Sequence, residues 1–531
     1  MNNNNEEKPF VTLSREIADK FIRDIVFIDE QAYPEKINNT IEAAVHNNEF
    51  DAKSVSDAFL KKGKICAIYA PQTEEDIYDC AVSLLKADVV VLDWNLRLKT
   101  TSEYDPMADD ESDNRGHYTK PLIKKLVDEA STDKVKLIIV YTGETDLNEI
   151  TDQIQKYINV PHSLIKEDCL LHTQTNNIRI LVRAKETSQF EHIEQYKSKV
   201  VKYDELPNII VNEFAEITMG LLPNYALSAI TAIRDNTSNI LGVFSKDIDP
   251  AFLGHYVSIP DCNDAISMLP QIFGTAVANL IENSDVDFDS WIEAWIDENI
   301  KVDQITIGKK KFTINADNLK AFVSPDEAFG NKLNTIFNAN IDVENLNQVD
   351  FYKKEASSLF CSGDTKHPNY KWAKLVQHSN LFSSPKFHRL TTGTIIKYKE
   401  EDKFLICIQQ SCDSVRISAD EERTFLFLPL VQGIKGEAIV VGEQEHLIVD
   451  NKSYSIELHR FSPKENDSNI KAELKENGEY VFEDTDGKHF VWVAELKELF
   501  AQHIVSAYAS QLSRVGIDNS EWIRLVGKTK Q

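Results

Sequence analysis

Acidic or hydroxyl side chains directly follow three short apolar runs in the first third of the chain. Carboxylate oxygens are ligands that Mg²⁺ prefers, and a hydroxyl group can stabilise the charge of a phosphoryl group in transfer. The three runs therefore predict a site for a divalent metal ion and a phosphoryl group. The run 89–92 precedes Asp93, the run 25–28 precedes Asp29 and Glu30, and the run 137–140 precedes Tyr141 and Thr142.

These runs belong to a regular alternation of strands and helices between about residues 20 and 190. An apolar run bounded by polar residues, such as 89–92, is typical of a strand that is buried on both faces. Alternation of this kind predicts parallel strands joined by helical crossovers, and hence an α/β, flavodoxin-like sheet of five strands. The predicted strands are 24–29, 64–69, 88–93, 135–141 and 178–184, and the predicted helices are 35–47, 73–86, 118–130 and 146–157.

The carboxyl ends of the first, third and fourth strands border the crevice of such a sheet, where ligands bind in open α/β folds. Asp29, Glu30 and Asp93 would repel one another without a cation, which favours a metal ion there. Thr142 offers a hydroxyl group, and Lys185, just past the fifth strand, offers an ammonium group. With a metal ion beside it, Asp93 could itself be the nucleophile that accepts phosphate.

Four short motifs in this order resemble the receiver domain of two-component response regulators. The resemblance implies that Asp93 is phosphorylated by a sensor histidine kinase, with Thr142 and Lys185 assisting. It implies Mg²⁺ bound directly by Glu30 and Asp93, by Asp29 largely through water, and by the Asn95 carbonyl. It covers roughly the first third of the chain. The motifs are Ile28-Asp29-Glu30, Leu92-Asp93-Trp94-Asn95, Tyr141-Thr142-Gly143 and Ala184-Lys185.

The chain departs from the receiver pattern at three places. The loop after Asp93 is unusually long and acidic between Leu96 and Gly116, as expected for a solvated loop or, alternatively, a gate beside the site. Glu186 follows Lys185 where receivers have proline, and Val182 stands where receivers have an aromatic switch residue. A degenerate receiver that has lost phosphotransfer is the alternative, and the presence of all three acids and Thr142 argues against it.

The remaining sequence predicts two further regions. Residues 191–385 are mainly helical in pattern, and residues 386–516 predict an antiparallel β module closed by a helix at about 494–514. Together with a receiver at 20–190, this gives three domains, which suits a chain of 531 residues.

Composition narrows the classes of partner. The net charge of −27 disfavours nucleic acid, because binding it requires Lys and Arg to neutralise phosphates. The sequence has neither a signal peptide nor an apolar stretch of about 18 residues, so we expect no membrane partner. Seven irregularly spaced cysteines are typical of reduced thiols, so a cytoplasmic location is expected.

After residue 190 we find no catalytic motif, so the expectation is a protein that is not an enzyme. The whole chain resembles the response-regulator proteins of bacterial antiphage two-component systems such as Detocs. That resemblance implies a role in antiviral defence in which the protein scavenges stray phosphate from a kinase that also serves a sister receiver-effector. The alternative is a receiver-controlled effector whose C-terminal part is an unrecognised enzyme or toxin.

Overall fold

The chain folds as two compact units, residues 1–341 and 342–531. The predicted division into three domains stays a prediction. The computed structural model describes residues 9–33, 50–96, 98, 115–130, 134–158, 163–186, 194–259, 262–284, 287–300, 303–307, 310–324, 356–361, 363–382, 388–418, 420–433, 437–442, 445–449, 455–464 and 467–512.

An eight-stranded, mostly parallel sheet is the centre of the first unit. Its strands lie in the order β2-β1-β3-β4-β7-β6-β5, with β8 paired to β7. The α/β class and the parallel sheet were therefore predicted correctly. The strands are β1 Asp24–Ile28, β2 Ile65–Tyr69, β3 Val89–Leu92, β4 Lys136–Thr142, β5 Leu164–Glu167, β6 Leu170–Thr173, β7 Ile178–Lys185 and β8 Val200–Val201.

The predicted count of five strands was wrong, because a hairpin and a short strand extend the sheet. The parallel strands β2, β1, β3, β4 and β7 correspond to the five predicted ones, and each bound agrees within one residue. The hairpin of β5 and β6 then adds to β7 in antiparallel orientation. The strand that carries Lys185 is therefore the fifth parallel strand and lies inside the sheet.

Helices cover both faces of this sheet because its central strands are apolar on both sides. All four residues of β3 and all seven of β4 are buried. One core joins β3 and β4 to α3, α4 and α5, and the other joins them to α1, α2 and α6. The predicted helix 35–47 lies outside the described residues. The helices are α1 Phe10–Phe21, α2 Ala52–Leu60, α3 Glu74–Lys86, α4 Thr119–Ala130, α5 Leu147–Ile158 and α6 Leu206–Thr218.

The first unit continues in helices, as the sequence pattern indicates. Helix α6 ends at Thr218, and Pro223 lies in the first turn of the next helix, where its missing N–H is tolerated. A two-stranded hairpin, β9 Asp303–Ile307 and β10 Lys310–Ile314, follows. The helices are α7 Leu221–Asp235, α8 Thr237–Val243, α9 Asp249–Ser258, α10 Cys262–Glu282, α11 Phe288–Asn299 and α12 Ala316–Val323.

The second unit contains a nine-stranded antiparallel sheet. Helix α13, Lys366–Gln377, precedes it, and helix α14, Glu498–Leu512, follows its last strand. In the described parts of the chain, no helix is long and apolar enough to cross a membrane. The strands are β11 Thr394–Tyr398, β12 Lys403–Cys407, β13 Arg423–Val431, β14 Ala438–Val440, β15 His446–Val449, β16 Glu457–Phe461, β17 Glu473–Leu474, β18 Tyr480–Glu483 and β19 His489–Glu495.

Candidate phosphoacceptor site

Asp29 and Asp93 lie side by side because β1 and β3 are neighbours that end at the same level. Ile28 pairs with Leu92, and the Asp93 N–H donates to the Ile28 carbonyl over 2.8 Å. Local turns then fix both carboxylates. The Gln31 N–H donates to Asp29 Oδ1 over 2.9 Å, and the Asn95 N–H donates to Asp93 Oδ2 over 2.8 Å. Both aspartates are buried, with exposed fractions of 2% and 7%.

The ammonium group of Lys185 joins the two acids. Its Nζ donates to Asp29 Oδ2 and to Asp93 Oδ1, each over 2.7 Å. Burial lowers the pKa of Lys185, but the negative charges of Asp93 and Asp29 raise it by a larger amount. Its pKa therefore lies above the ordinary value. Burial also raises the pKa of Asp29, while Lys185 lowers it. The three side chains form one buried ion cluster at the carboxyl edge of the sheet.

Glu30 follows Asp29 in the chain and lies outside this three-membered ion cluster. Its Oε2 atom is buried without a hydrogen-bond partner. Burial, followed by the negative charges of Asp93 and Asp29, raises the pKa of Glu30 from 4.5 to about 8. The surroundings of Glu30 therefore favour the neutral form of its carboxyl group.

These carboxylates fit Mg²⁺ in donor type and charge. Mg²⁺ prefers hard oxygen ligands. Glu30 Oε2 forms no hydrogen bond that binding of a metal ion would have to break. In the described residues, no group of three His, Cys, Asp or Glu side chains is arranged to hold a metal ion. With the Lys185 ammonium bonded to both aspartates, a metal ion would have to share these oxygens with it. The assignment of Asp29, Glu30, Asp93 and Asn95 as ligands therefore stays a prediction.

Thr142 is the last residue of β4 and lies at the same edge of the sheet. It is buried, and its hydroxyl oxygen accepts a hydrogen bond from the Glu144 N–H over 3.1 Å. Glu144 in turn forms an ion pair, at 3.2 Å, with Arg115, which lies near the C-terminal end of the long acidic segment in the sequence. Most of that loop, including its acidic residues from Glu103 to Asp113, lies outside the described residues.

Aromatic side chains cover Lys185, and this cover was not predicted from the sequence. Its Nζ lies 5.3 Å from the ring centroid of Phe50 and 6.0 Å from that of Tyr141. Tyr203 packs edge-on against both rings, and the Tyr141 hydroxyl donates to the Val201 carbonyl over 2.7 Å. These residues come from three separate segments. The one signal in the sequence was that Tyr141 directly precedes Thr142.

The strand that carries Lys185 is joined to helix α6 by two partly buried ion pairs. Arg179 and Arg183 of β7 both donate to the carboxylate of Glu213, at 2.7 and 3.2 Å. Burial lowers the pKa of Arg183, and Glu213 opposes that shift. The position of Lys185 therefore depends on packing outside the ion cluster itself.

The strand order, the buried acids at the carboxyl edge and the lysine between them define a receiver-type domain. In agreement, residues 21–190 match the family model described as the response receiver domain. The match covers about a third of the chain and leaves the residues after 190 outside it. No curated protein and no solved structure gave a significant match to the chain.

Proposed function

We propose that the chain is a response regulator that accepts phosphate on Asp93 from a sensor histidine kinase and is not itself an enzyme with a separate substrate. The observation that carries the proposal is the pairing of Asp93 with a buried ammonium group at the carboxyl edge of a receiver-type sheet. A carboxylate held in this way is oriented for attack and is partly desolvated.

The transfer itself needs only one new covalent bond. A carboxylate oxygen of Asp93 bonds to phosphorus, the bond between phosphorus and the kinase imidazole nitrogen breaks, and that nitrogen keeps the electron pair and takes up a proton. The products are an acyl phosphate on Asp93 and neutral histidine. The acyl phosphate retains negative oxygens, so the site must supply positive charge and donors.

Lys185 and Thr142 are proposed as those donors. Lys185 already contacts Asp93 Oδ1 at 2.7 Å, so a short movement of Nζ would bring it to an oxygen of the new phosphoryl group. The Thr142 hydroxyl belongs to the neighbouring strand β4 and could donate to a second oxygen. Bound Mg²⁺ would neutralise part of the charge that develops on the phosphoryl oxygens. Glu30 would lose its proton to become a ligand.

Phosphate incorporation tests this function. Full-length protein is incubated with Mg²⁺ and either acetyl phosphate or the partner kinase, and the product is mapped by mass spectrometry. We expect label on Asp93 that Asp93→Asn abolishes and that Asp79→Asn, an exposed change on α3, preserves. Absence of label in wild-type protein with its cognate kinase would mean a degenerate receiver.

We further propose that the protein acts in bacterial antiviral defence as a phosphate sink. The observation in favour is that Val182, three residues before Lys185, is fully buried and aliphatic where receivers use an aromatic switch to signal to an output. A sink needs no such output. It would compete with a sister receiver-effector for the same kinase.

The second unit favours one alternative, a receiver-controlled effector. It has hydrophobic cores of its own, as an output module would. Growth assays distinguish a phosphate sink from a receiver-controlled effector. In a host with the kinase and sister effector, Asp93→Asn should increase kinase-dependent toxicity if the protein is a sink. If it is an effector, Asp93→Asn should abolish a toxicity that the phosphorylated wild type causes.

A further inference from the structure

A cavity of about 380 Å³ lies at the amino edge of the parallel sheet. Asp88, which precedes β3, and Lys136, the first residue of β4, both line it. Thr142 ends β4, so about 20 Å of strand separates this cavity from the edge of the sheet where Asp93 lies. A cavity of this volume is large enough for a small organic ligand.

Apolar side chains form most of the cavity wall. Leu85 of α3 and Leu126 of α4 line it from one face of the sheet, and Phe214 of α6 and Leu227 of α7 line it from the other. Phe21, which also lines it, stacks on Phe214 with ring centroids 5.5 Å apart. A hydrocarbon chain in the cavity would be removed from water by these side chains, which favours its binding.

Lys136 places a buried positive charge at this apolar wall. Its side chain is 6% exposed, and its Nζ donates to the carbonyl oxygens of Leu84 and Ala87 over 2.8 and 2.7 Å. In the described part of the chain, no carboxylate forms an ion pair with this ammonium group. Burial lowers the pKa of Lys136 from 10.5 to about 8, although the negative charge of Asp88 opposes that shift. A buried cation of this kind is stabilised by a counter-ion.

The acidic residues that line the cavity do not supply this counter-ion. The Asp88 carboxylate accepts two hydrogen bonds from Arg234, at 2.8 and 3.0 Å, and one from the Arg23 N–H, at 2.9 Å. Its charge is therefore already compensated by Arg234. Glu129 and Lys134 also line the cavity, but both are exposed and their charges are opposite. The cavity therefore keeps one positive charge, that of Lys136, without a paired carboxylate.

We propose that this cavity binds a medium-chain carboxylate, with the carboxylate group at Lys136 and the hydrocarbon chain against the apolar wall. A charge-assisted hydrogen bond from Nζ would provide the counter-ion that the described residues do not. An inorganic anion would leave the apolar wall in contact with water, and an uncharged hydrocarbon would leave the ammonium group unpaired. The proposal does not depend on phosphorylation of Asp93, because the two sites lie at opposite edges of the sheet.

Calorimetric titration of the full chain tests the proposal with two probes that differ in the head group, octanoate and 1-octanol. We expect wild type to bind octanoate at least about 10-fold more tightly than 1-octanol, because only octanoate forms the charge-assisted hydrogen bond with Lys136. Lys136→Met should remove this preference by weakening octanoate binding about 10-fold. Lys156→Met, an exposed change on α5, is the matched control and should keep the preference.

The comparison of the two probes on wild type decides the question even if Lys136→Met fails to fold. Equal affinities for octanoate and 1-octanol, or no binding of octanoate at millimolar concentration, would overturn the proposal. A folded Lys136→Met variant that binds octanoate as tightly as wild type does would overturn it as well, because the carboxylate would then lie elsewhere. Asp93→Asn should bind octanoate as wild type does, whether or not Asp93 accepts phosphate.

Discussion

At the scale of single residues, the site is a balance of buried charges. Asp29 and Asp93 share one ammonium group, and the neighbouring Glu30 receives no hydrogen bond at Oε2. Burying charges without full pairing costs free energy unless one of them is neutralised. The raised pKa of Glu30 favours its neutral form, which meets that requirement when no metal ion is bound.

This balance predicts that stability depends on pH through Glu30. The unfolded chain releases the proton near pH 4.5 and the folded chain near pH 8, so folding stability falls as pH rises across that window. Glu30→Gln should match wild type near pH 4.5 and be more stable than wild type by on the order of 2–4 kcal/mol above pH 8 without metal. Urea unfolding at several pH values measures the difference.

Exposed Glu75 on α3 provides the matched control, because Glu75→Gln should leave the pH dependence as in wild type. If Mg²⁺ takes the place of the Glu30 proton, the ion should stabilise wild type more at pH 8 than at pH 6. Equal pH profiles for Glu30→Gln and wild type would contradict the assignment of the proton to Glu30.

The positions of the acids could be predicted from the sequence because each follows an apolar run, and strand ends converge at one edge of a parallel sheet. Lys185 could be placed there because it lies just past the predicted fifth strand. Their pairing could not be predicted, since it depends on rotamers and burial. The cover of Phe50, Tyr141 and Tyr203 could not be predicted either, because the three rings meet only through the tertiary fold.

At the scale of elements, hydrogen bonds and close packing join the residues before the long loop to the residues after it. The Thr119 hydroxyl donates to the carbonyl oxygens of Asp93 and Trp94 over 2.8 and 3.0 Å. Gly116 has a φ of +71° and lies directly against the indole ring of Trp94. The start of α4 is thus attached to the residue next to the proposed phosphoacceptor.

Gly116 is therefore predicted to be sensitive to substitution for two reasons. A Cβ there would overlap the ring of Trp94 and would also require a left-handed backbone. Gly63 has a φ of +69° and no atom within 4 Å of its Cβ position. A substitution at Gly63 therefore measures the cost of the left-handed backbone alone. We expect Gly63→Ala to lower the unfolding free energy by about 1 kcal/mol and Gly116→Ala by about 3 kcal/mol.

Denaturant unfolding of the two variants gives the comparison, and the difference between them measures the contact with Trp94. Equal losses would mean that the ring moves aside without cost. Since Trp94 adjoins Asp93, Gly116→Ala should also slow phosphorylation, whereas Gly63→Ala should not.

Among the elements, the long strands and helices could be predicted, and the short hairpin β5–β6 could not. Its strands have four residues each and include polar ones such as Lys166 and His172, so neither has a clear apolar pattern. The hairpin forms because β7 offers a hydrogen-bonding edge, which is a property of the assembled sheet. In the second unit, the short strands β15 to β18 likewise lack a clear local pattern.

At the scale of the whole molecule, the hydrophobic cores fall into two groups with no residue in common. Those around the parallel sheet belong to the first unit, and those of the antiparallel sheet belong to the second. Cores that share no residues can unfold as separate cooperative transitions.

Calorimetry of the full chain should therefore show two unfolding transitions, of which Mg²⁺ raises the midpoint of only one. A ligand stabilises the unit that binds it, by mass action. Lys185→Ala, which leaves Asp29 and Asp93 without their buried partner, should lower the midpoint of the same transition and leave the other unchanged. Exposed Lys202→Ala is its control. A single transition that responds as a whole would show that the two units unfold together.

The hairpin that extends the sheet has one more consequence, for unwanted association. The fifth parallel strand would otherwise present its backbone at an open edge, and open edges recruit strands from other molecules. Here β6 and β8 take up that edge of β7, and the outermost strand is β5, which is four residues long and ends in Lys166 and Glu167. Short, charged edge strands resist such recruitment. The strand that holds Lys185 is thus protected from amyloid-like pairing.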